Sequence, residues 1–283
     1  RKQRRLKILV IALLVIGRAA LCLCFWPAPA QNAPLLAIAA YGVADMDSGT
    51  LLYAQNAELR CKLGSLTKLM PVYLCLEALE AGTASLEDTA TISGNAAAKP
   101  GSVAGLPEGA AATLETLLYC ILLPSGNDAV TALCEHLWGS EEAAVARMND
   151  AARVLGMVNT QYSDCTGIDA AGNAASISDL TLLVYNLITR FPQIADYTAT
   201  VYHMAEYTLA GVGGQAELHT TNKLLGALDG VYGLKTGTTQ QSHNAIVLQQ
   251  ANGRHLMAIT LDAPDDQTRW NGLRALLSYG GGL

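Results

Sequence analysis

Charge is scarce in this chain. Only 15% of its 283 residues are Asp, Glu, Lys or Arg, and 51% are apolar. That balance excludes a disordered chain and argues against a nucleic-acid-binding one. There is no C-x-x-C pair and no H-E-x-x-H. The five histidines, His136, His203, His219, His243 and His255, fall at no metal-ligating spacing, so neither a metal site nor a cofactor is expected. Cysteine offers no disulfide framework. Cys22 and Cys24 lie near the start, and the other five, Cys61, Cys75, Cys120, Cys134 and Cys165, are odd in number. Cys75, Cys120 and Cys134 fall within apolar helical patterns and read as small buried hydrophobes. Internal repeats and low-complexity linkers are absent. The length suits one large domain or two intimate subdomains.

The charge that is present is unevenly placed. Residues 1–30 hold six basic residues and no acid, leaving 12 basic and 24 acidic residues in the remainder. An acidic body repels phosphate backbones and anionic lipid surfaces. Any membrane affinity therefore belongs to the N-terminal segment. There, Arg1 to Lys7 precede an apolar run from Ile8 to Trp26, then Ala28-Pro29-Ala30, the layout of an export signal with its cleavage site. The alternative is an uncleaved anchor, which Arg18 makes less comfortable because a charge at mid-bilayer is costly. The body is expected outside the cytoplasm, in the cell wall or at the outer face of the membrane.

Leu36 to Asp45 and Thr50 to Tyr53 read as a hairpin around Asp47-Ser48-Gly49. A helix opens at Ser65, with Leu66, Leu69, Met70, Tyr73, Leu76 and Leu79 at helical spacing, and Gly82 closes it. Pro71 inside it removes a backbone donor and predicts a kink one turn past Ser65. Residues 83–112 read as loop and short turns. Helices follow from Thr113, as N-cap, to Leu123, from Asp128 to Trp138 and from Glu141 to Leu155, and another is capped by Ser178-Asp179 and runs through Arg190. Strands return at Val231–Thr238, Asn244–Gln250 and His255–Leu261, the last two joined at Asn252-Gly253, and a helix closes the chain from Asp266 to Tyr279. This order predicts one sheet built from both chain ends, with an all-helical insertion and a ligand cleft between them.

Three short motifs carry the chemistry. Ser65-Leu66-Thr67-Lys68 places a lysine one helical turn from a serine at a helix start, where backbone N–H groups and the dipole favour negative charge. A lone S-x-x-K is usually a cap and a solvated lysine. Ser125-Gly126-Asn127 breaks two apolar helices and could aim a hydroxyl and an amide into the cleft; alone it is an ordinary capping turn. Lys235-Thr236-Gly237 lies on an apolar strand, and the glycine lets another backbone come close. Together they read as a serine acyl-transfer site with lysine in place of histidine as base. Ser65 is the candidate nucleophile, Lys68 its base, Ser125 the proton relay, and Asn127 a holder of Lys68 or substrate. Lys235, Thr236 and Gly237 are candidate substrate-binding residues, and the N–H groups of Ser65 and Thr238 form the expected oxyanion hole. Burial and the Lys235 charge are the two influences expected to hold Lys68 neutral.

These motifs, in this order and separation, resemble the penicillin-binding D-alanyl-D-alanine carboxypeptidases of low molecular mass. The likeness extends to Leu155-Gly156-Met157, Thr166-Gly167-Ile168-Asp169, Ser176 to Leu180 and Thr221-Asn222-Lys223-Leu224-Leu225, over roughly residues 36–280. The resemblance implies an α+β fold of the β-lactamase/transpeptidase type. Its antiparallel sheet subdomain would span about 36–62 and 200–283, and its helical subdomain about 63–199. It implies removal of the terminal D-alanine from peptidoglycan stem peptides through a serine acyl-enzyme, and acylation by β-lactams. Three features depart from the family: Pro71, Ser242-His243 where Ala-Gly is expected, and an end at Leu283 before the C-terminal β-domain and amphipathic anchor of many members. A class A β-lactamase, a catalytically silent cell-wall binding protein and a generic esterase are the rival readings. The β-lactamase lacks support because no Glu lies between Glu142 and Glu206, and the second motif has Gly where those enzymes have Asp.

Overall fold

The chain is seen as a computed structural model that describes residues 33–168, 172–240 and 242–283. The N-terminal segment 1–30, with Cys22 and Cys24, and Asp169 of the family-like motif lie outside the described residues. Leu36–Leu283 form one compact unit.

In chain order the strands and helices are β1 (Ala40–Asp45), β2 (Thr50–Gln55), β3 (Cys61–Lys62), a 3₁₀ turn (Gly64–Lys68), α1 (Leu69–Glu80), β4 (Thr89–Thr91), α2 (Gly94–Ala97), β5 (Ala111–Thr113) and α3 (Leu114–Leu122). Then follow α4 (Asn127–Trp138), α5 (Glu141–Val154), β6 (Ala174–Ala175), α6 (Ile177–Arg190), α7 (Ile194–Thr198), β7 (Tyr202–Leu209), β8 (Val212–His219), β9 (Val231–Thr238), β10 (His243–Ala251), β11 (Arg254–Ala263) and α8 (Asp266–Gly281).

Both chain ends build the main sheet, as the element order predicts. Its five strands run β2-β1-β11-β10-β9, and every pair is antiparallel. Strand alternation divides its residues between two cores. Val43, Ala245, Val247, Leu256 and Ala258 face α8, where Trp270, Leu273, Leu276 and Leu277 cover them. Ala44, Ile246, Leu248, Met257, Ile259 and Leu261 face the larger core shared with the helical insertion. The Asn252-Gly253 signal holds: both residues have positive φ, +52° and +77°, the backbone a tight hairpin needs. Asp265 caps α8 by accepting from Thr268 N–H.

Three local differences have physical causes. Pro71, where a kink was expected, falls in the first turn of α1: Ser65 sits in the 3₁₀ turn, the α-helix begins at Leu69, and a proline is tolerated at this point because an N–H there has no intrahelical partner. The cap of α6 is Ser176 rather than Ser178: its extended backbone lets its hydroxyl accept from Asp179 N–H. Residues 202–219 form a hairpin missed by sequence pattern, since its burial lacks the strict alternation of a half-buried strand. The hairpin pairs with β5 in a second sheet, β4-β5-β7-β8, beside the helical insertion.

One side chain ties the main sheet to the segment before Ser65. Asn244, fully buried on β10, donates to the carbonyls of Lys62 (2.7 Å) and Leu63 (3.0 Å) and accepts from Asp262 N–H (2.8 Å) and the Ser242 hydroxyl (3.0 Å). Asn244→Ala leaves buried carbonyls and an N–H unpaired, so it is expected to lower unfolding free energy in urea by about 2–3 kcal/mol. A loss below about 0.5 kcal/mol, the usual effect of a neutral surface change, would show that this tie is dispensable.

Candidate active site

The cleft lies where the 3₁₀ turn, the α3–α4 connection and β9 converge. Lys68 is wholly buried, yet no carboxylate is among its hydrogen-bond partners. Its Nζ lies 2.8 Å from Ser65 Oγ, 2.9 Å from the Thr166 carbonyl and 3.5 Å from Ser125 Oγ. A neutral amine satisfies all three: its lone pair accepts the Ser65 proton, and its two N–H groups point to Thr166 O and Ser125 Oγ. Desolvation drives the amine that way and pulls Lys68 down to about 7, against the opposing pull of Cys165, Asp164 and Asp128. Of the two influences expected to hold Lys68 neutral, burial is the one that lowers it here.

Lys235 approaches from the opposite side. Its Nζ is 2.7 Å from Ser125 Oγ and 3.0 Å from the Thr236 carbonyl. Ser125 thus bridges two buried amines. Burial, then Lys68, then Arg269 hold Lys235 well below the ordinary lysine range. Ser125 reaches this position through a left-handed backbone, φ +69°, which costs a non-glycine residue about 1–2 kcal/mol. The next residues hold it there. Asp128 accepts from the N–H groups of Ala104, Gly105 and Leu106, fixing the loop that walls the cleft. Asn127 donates to the Pro100 carbonyl at 2.6 Å rather than reaching Lys68, and its Oδ1 is buried without a partner.

Gly237 explains how strand and helix start come together. A Cβ there would sit 2.5 Å from Leu63 O and 3.2 Å from Ser65 N. The close backbone approach expected of this glycine is realised against the chain's own turn bearing Ser65. Gly167 does the same from the other wall, with a virtual Cβ 1.9 Å from Gly64 O. Its loop is built by Asp164, which accepts from Thr166 N, Thr166 Oγ1 and Gly167 N, each at 2.6 Å, and so aims the Thr166 carbonyl at Lys68. Ser65 N–H lies in the first turn and has no intrahelical partner.

All eight residues singled out in the sequence line or border this cleft, which opens as two cavities meeting at Ser65, about 560 and 310 Å³. Sequence reasoning missed Thr166, which acts through its carbonyl, and Asp164. It also missed Arg269, buried on α8, whose Nη1 donates to Thr238 Oγ1 at 3.1 Å and lines the smaller cavity. The helix was legible from its apolar face; a guanidinium 34 residues from the third motif carried no pattern. His243 pairs with Thr238 at the start of β10 and is absent from the described lining of both cavities.

A five-stranded antiparallel sheet packed on a helical insertion, with a serine and two buried lysines between them, defines the penicillin-binding serine peptidases of the β-lactamase/transpeptidase fold. A family profile described as D-alanyl-D-alanine carboxypeptidase, peptidase S11, matches residues 28–265, and the chain belongs to that family. It is 32% identical over 209 residues to D-alanyl-D-alanine carboxypeptidase DacF of Bacillus subtilis, covering 74% of this chain and 53% of that one. It is 31% identical over 257 residues to DacC of Escherichia coli, covering 88% and 62%. The chain thus spans between half and two thirds of the length of these relatives. Among solved structures, the Streptomyces K15 DD-transpeptidase superposes with a TM-score of 0.81 at 25% identity, over 89% of this chain and all of that one. Penicillin-binding protein D2 of Listeria monocytogenes, in its ampicillin-bound form, superposes with a TM-score of 0.74 at 28% identity, over 88% and 99%.

Gly237→Ala tests the packing of strand against turn. It is expected to displace Ser65 and cut the rate of acylation by a fluorescent penicillin about a hundredfold, the order that a 1 Å misplacement costs. Labelling at the unsubstituted rate would show that the close approach has no bearing on reactivity.

Proposed function

We propose that this chain is a serine D-Ala-D-Ala carboxypeptidase that removes the terminal D-alanine from peptidoglycan stem peptides and is acylated by β-lactams. One observation carries the reading: Ser65 Oγ lies 2.8 Å from the Nζ of a buried lysine that burial holds near neutrality, while Ser125 Oγ bridges that lysine to Lys235. Ser65 attacks the carbonyl of the D-Ala-D-Ala bond as Lys68 takes its proton. The negative charge that develops on the carbonyl oxygen is met by the N–H groups of Ser65 and Thr238. The proton passes from Lys68 through Ser125 to the nitrogen of the departing D-alanine, and the C–N bond breaks. Water then attacks the ester, giving its proton to Lys68, which returns it to Ser65 Oγ as the C–O bond breaks and the peptide acid leaves. Asn127 lines the larger cavity, and its otherwise unpartnered Oδ1 accepts from a backbone N–H of the substrate.

The terminal carboxylate docks at Lys235, Thr236 and Gly237, with Arg269 beside them. Burial first, and then the neighbouring basic groups, hold Lys235 below its ordinary range. An arriving carboxylate favours the ammonium form of Lys235, because a nearby opposite charge stabilises it. Such a substrate places the work outside the cytoplasm, in keeping with the basic-then-apolar pattern of residues 1–26. Among the described residues no helix is long and apolar enough to cross a membrane.

A β-lactamase needs a carboxylate to activate the deacylating water. Neither cavity has a Glu or Asp in its described lining, and nearby Asp164 is held by its own loop. Mass spectrometry after penicillin treatment is expected to find a long-lived adduct on Ser65, absent in Ser65→Ala and formed about 10³-fold more slowly in Lys68→Ala. An adduct elsewhere would contradict this reading, and fast multiple-turnover nitrocefin hydrolysis would favour the β-lactamase.

The base must be neutral to act, so activity follows the deprotonated fraction of Lys68. The second-order rate of penicillin acylation is expected to be level above a midpoint near 7 and to fall about tenfold per pH unit below it. A rate unchanged on acidification through that midpoint would exclude Lys68 as the base.

A further inference from the structure

The two cavities that meet at Ser65 differ in chemistry. The smaller holds Thr236, Thr238, Lys223 and Arg269 and suits a terminal carboxylate. A peptide extended from there across Ser65 enters the larger, so the larger receives the acyl half of the substrate. Its described lining includes no carboxylate and one formal charge, Lys62.

Lys62 differs from the other lysines of the described residues. Lys68 and Lys235 are buried in the site, while Lys99 and Lys223 pair with Glu141 and Asp266. Lys62 has no ion pair among the described residues. Its backbone is fixed, because buried Cys61 precedes it and its carbonyl accepts from Asn244 at 2.7 Å, while its side chain is exposed at the cavity. Two further residues line this cavity: Asn127, 3% exposed with its Oδ1 buried and unpartnered, and Ile168, an apolar side chain 44% exposed. A cation beside an apolar rim, on a body that is otherwise strongly acidic, matches an aliphatic stem that ends in an anion.

We propose that Lys62 is a specificity residue that receives a carboxylate at the end of the side chain of the residue preceding the D-alanine transferred to Ser65, with Ile168 lying along that side chain's stem. The proposal rests on the acyl-transfer reading of Ser65 and names the chemical class of its peptide: a stem whose third-from-last residue bears a free side-chain carboxylate, rather than an amidated or purely amino side chain.

The test uses three diacylated X-D-Ala-D-Ala peptides, with X as 2-aminoadipate, its side-chain amide, or lysine. D-alanine release gives kcat/KM for each, and the ratio between peptides is taken within each variant, so a general change in activity cancels. The full chain is expected to favour the carboxylate over the amide about fivefold, the order of a solvent-accessible ion pair, and to disfavour lysine further. Lys62→Arg keeps the preference, Lys62→Gln levels it to within about twofold, and Lys62→Glu reverses it. Absence of preference in the unsubstituted chain, or a preference that survives Lys62→Gln, overturns the proposal. If no peptide releases D-alanine while penicillin still labels Ser65, the carboxypeptidase reading falls and this one falls with it.

Discussion

A lysine amine buried without a carboxylate partner is the constraint around which this site is built. Lys68 has two hydroxyls and a carbonyl within reach and no counter-ion in hydrogen-bonding contact. In water such a group is charged; here desolvation holds it near 7, where it can take a proton from Ser65. Neighbouring acids act in the other direction, and their placement limits how far the shift goes. Asp164 and Asp128 face Lys68 through loops that each carboxylate organises by accepting backbone N–H groups. Both acids therefore position the site and moderate its basicity at once.

Backbone closeness is the second requirement. Gly237 brings β9 against the turn that bears Ser65, and Gly167 brings the opposite wall to Gly64. At neither position would a side chain fit without displacing Ser65. Ser125 instead accepts a left-handed backbone to stand between two amines. The strain sits where two lysines gain a shared hydroxyl, and the Asp128 network behind it holds the loop. The turn bearing Ser65 is 3₁₀, and the α-helix that carries Pro71 in its first turn starts only after Lys68.

Much of this was legible in the residues. The motifs named Ser65, both lysines and the bridging serine, because each chemistry demands a particular residue type at a particular spacing. The main sheet was legible because its strands are apolar and its hairpin carries Asn252-Gly253. What escaped had no pattern to show. Thr166 contributes a carbonyl, which every residue possesses. Arg269 is brought to Thr238 by the docking of α8 on the sheet, a tertiary event with no local signature. The β7–β8 hairpin lies largely in solvent, so alternation could not mark it. Asn127 was expected to hold Lys68 or the substrate; its amide nitrogen turns to the Pro100 carbonyl, and its oxygen is buried without a partner.

The central claim concerns one proton. Selective isotopic labelling of lysine side chains, with the Lys68 resonance assigned by Lys68→Arg, allows its ε-group to be titrated directly by NMR in the ligand-free protein. The account predicts a midpoint near 7. A midpoint close to the ordinary lysine value of about 10.4 would mean that Lys68 stays an ammonium at neutral pH and cannot act as the base.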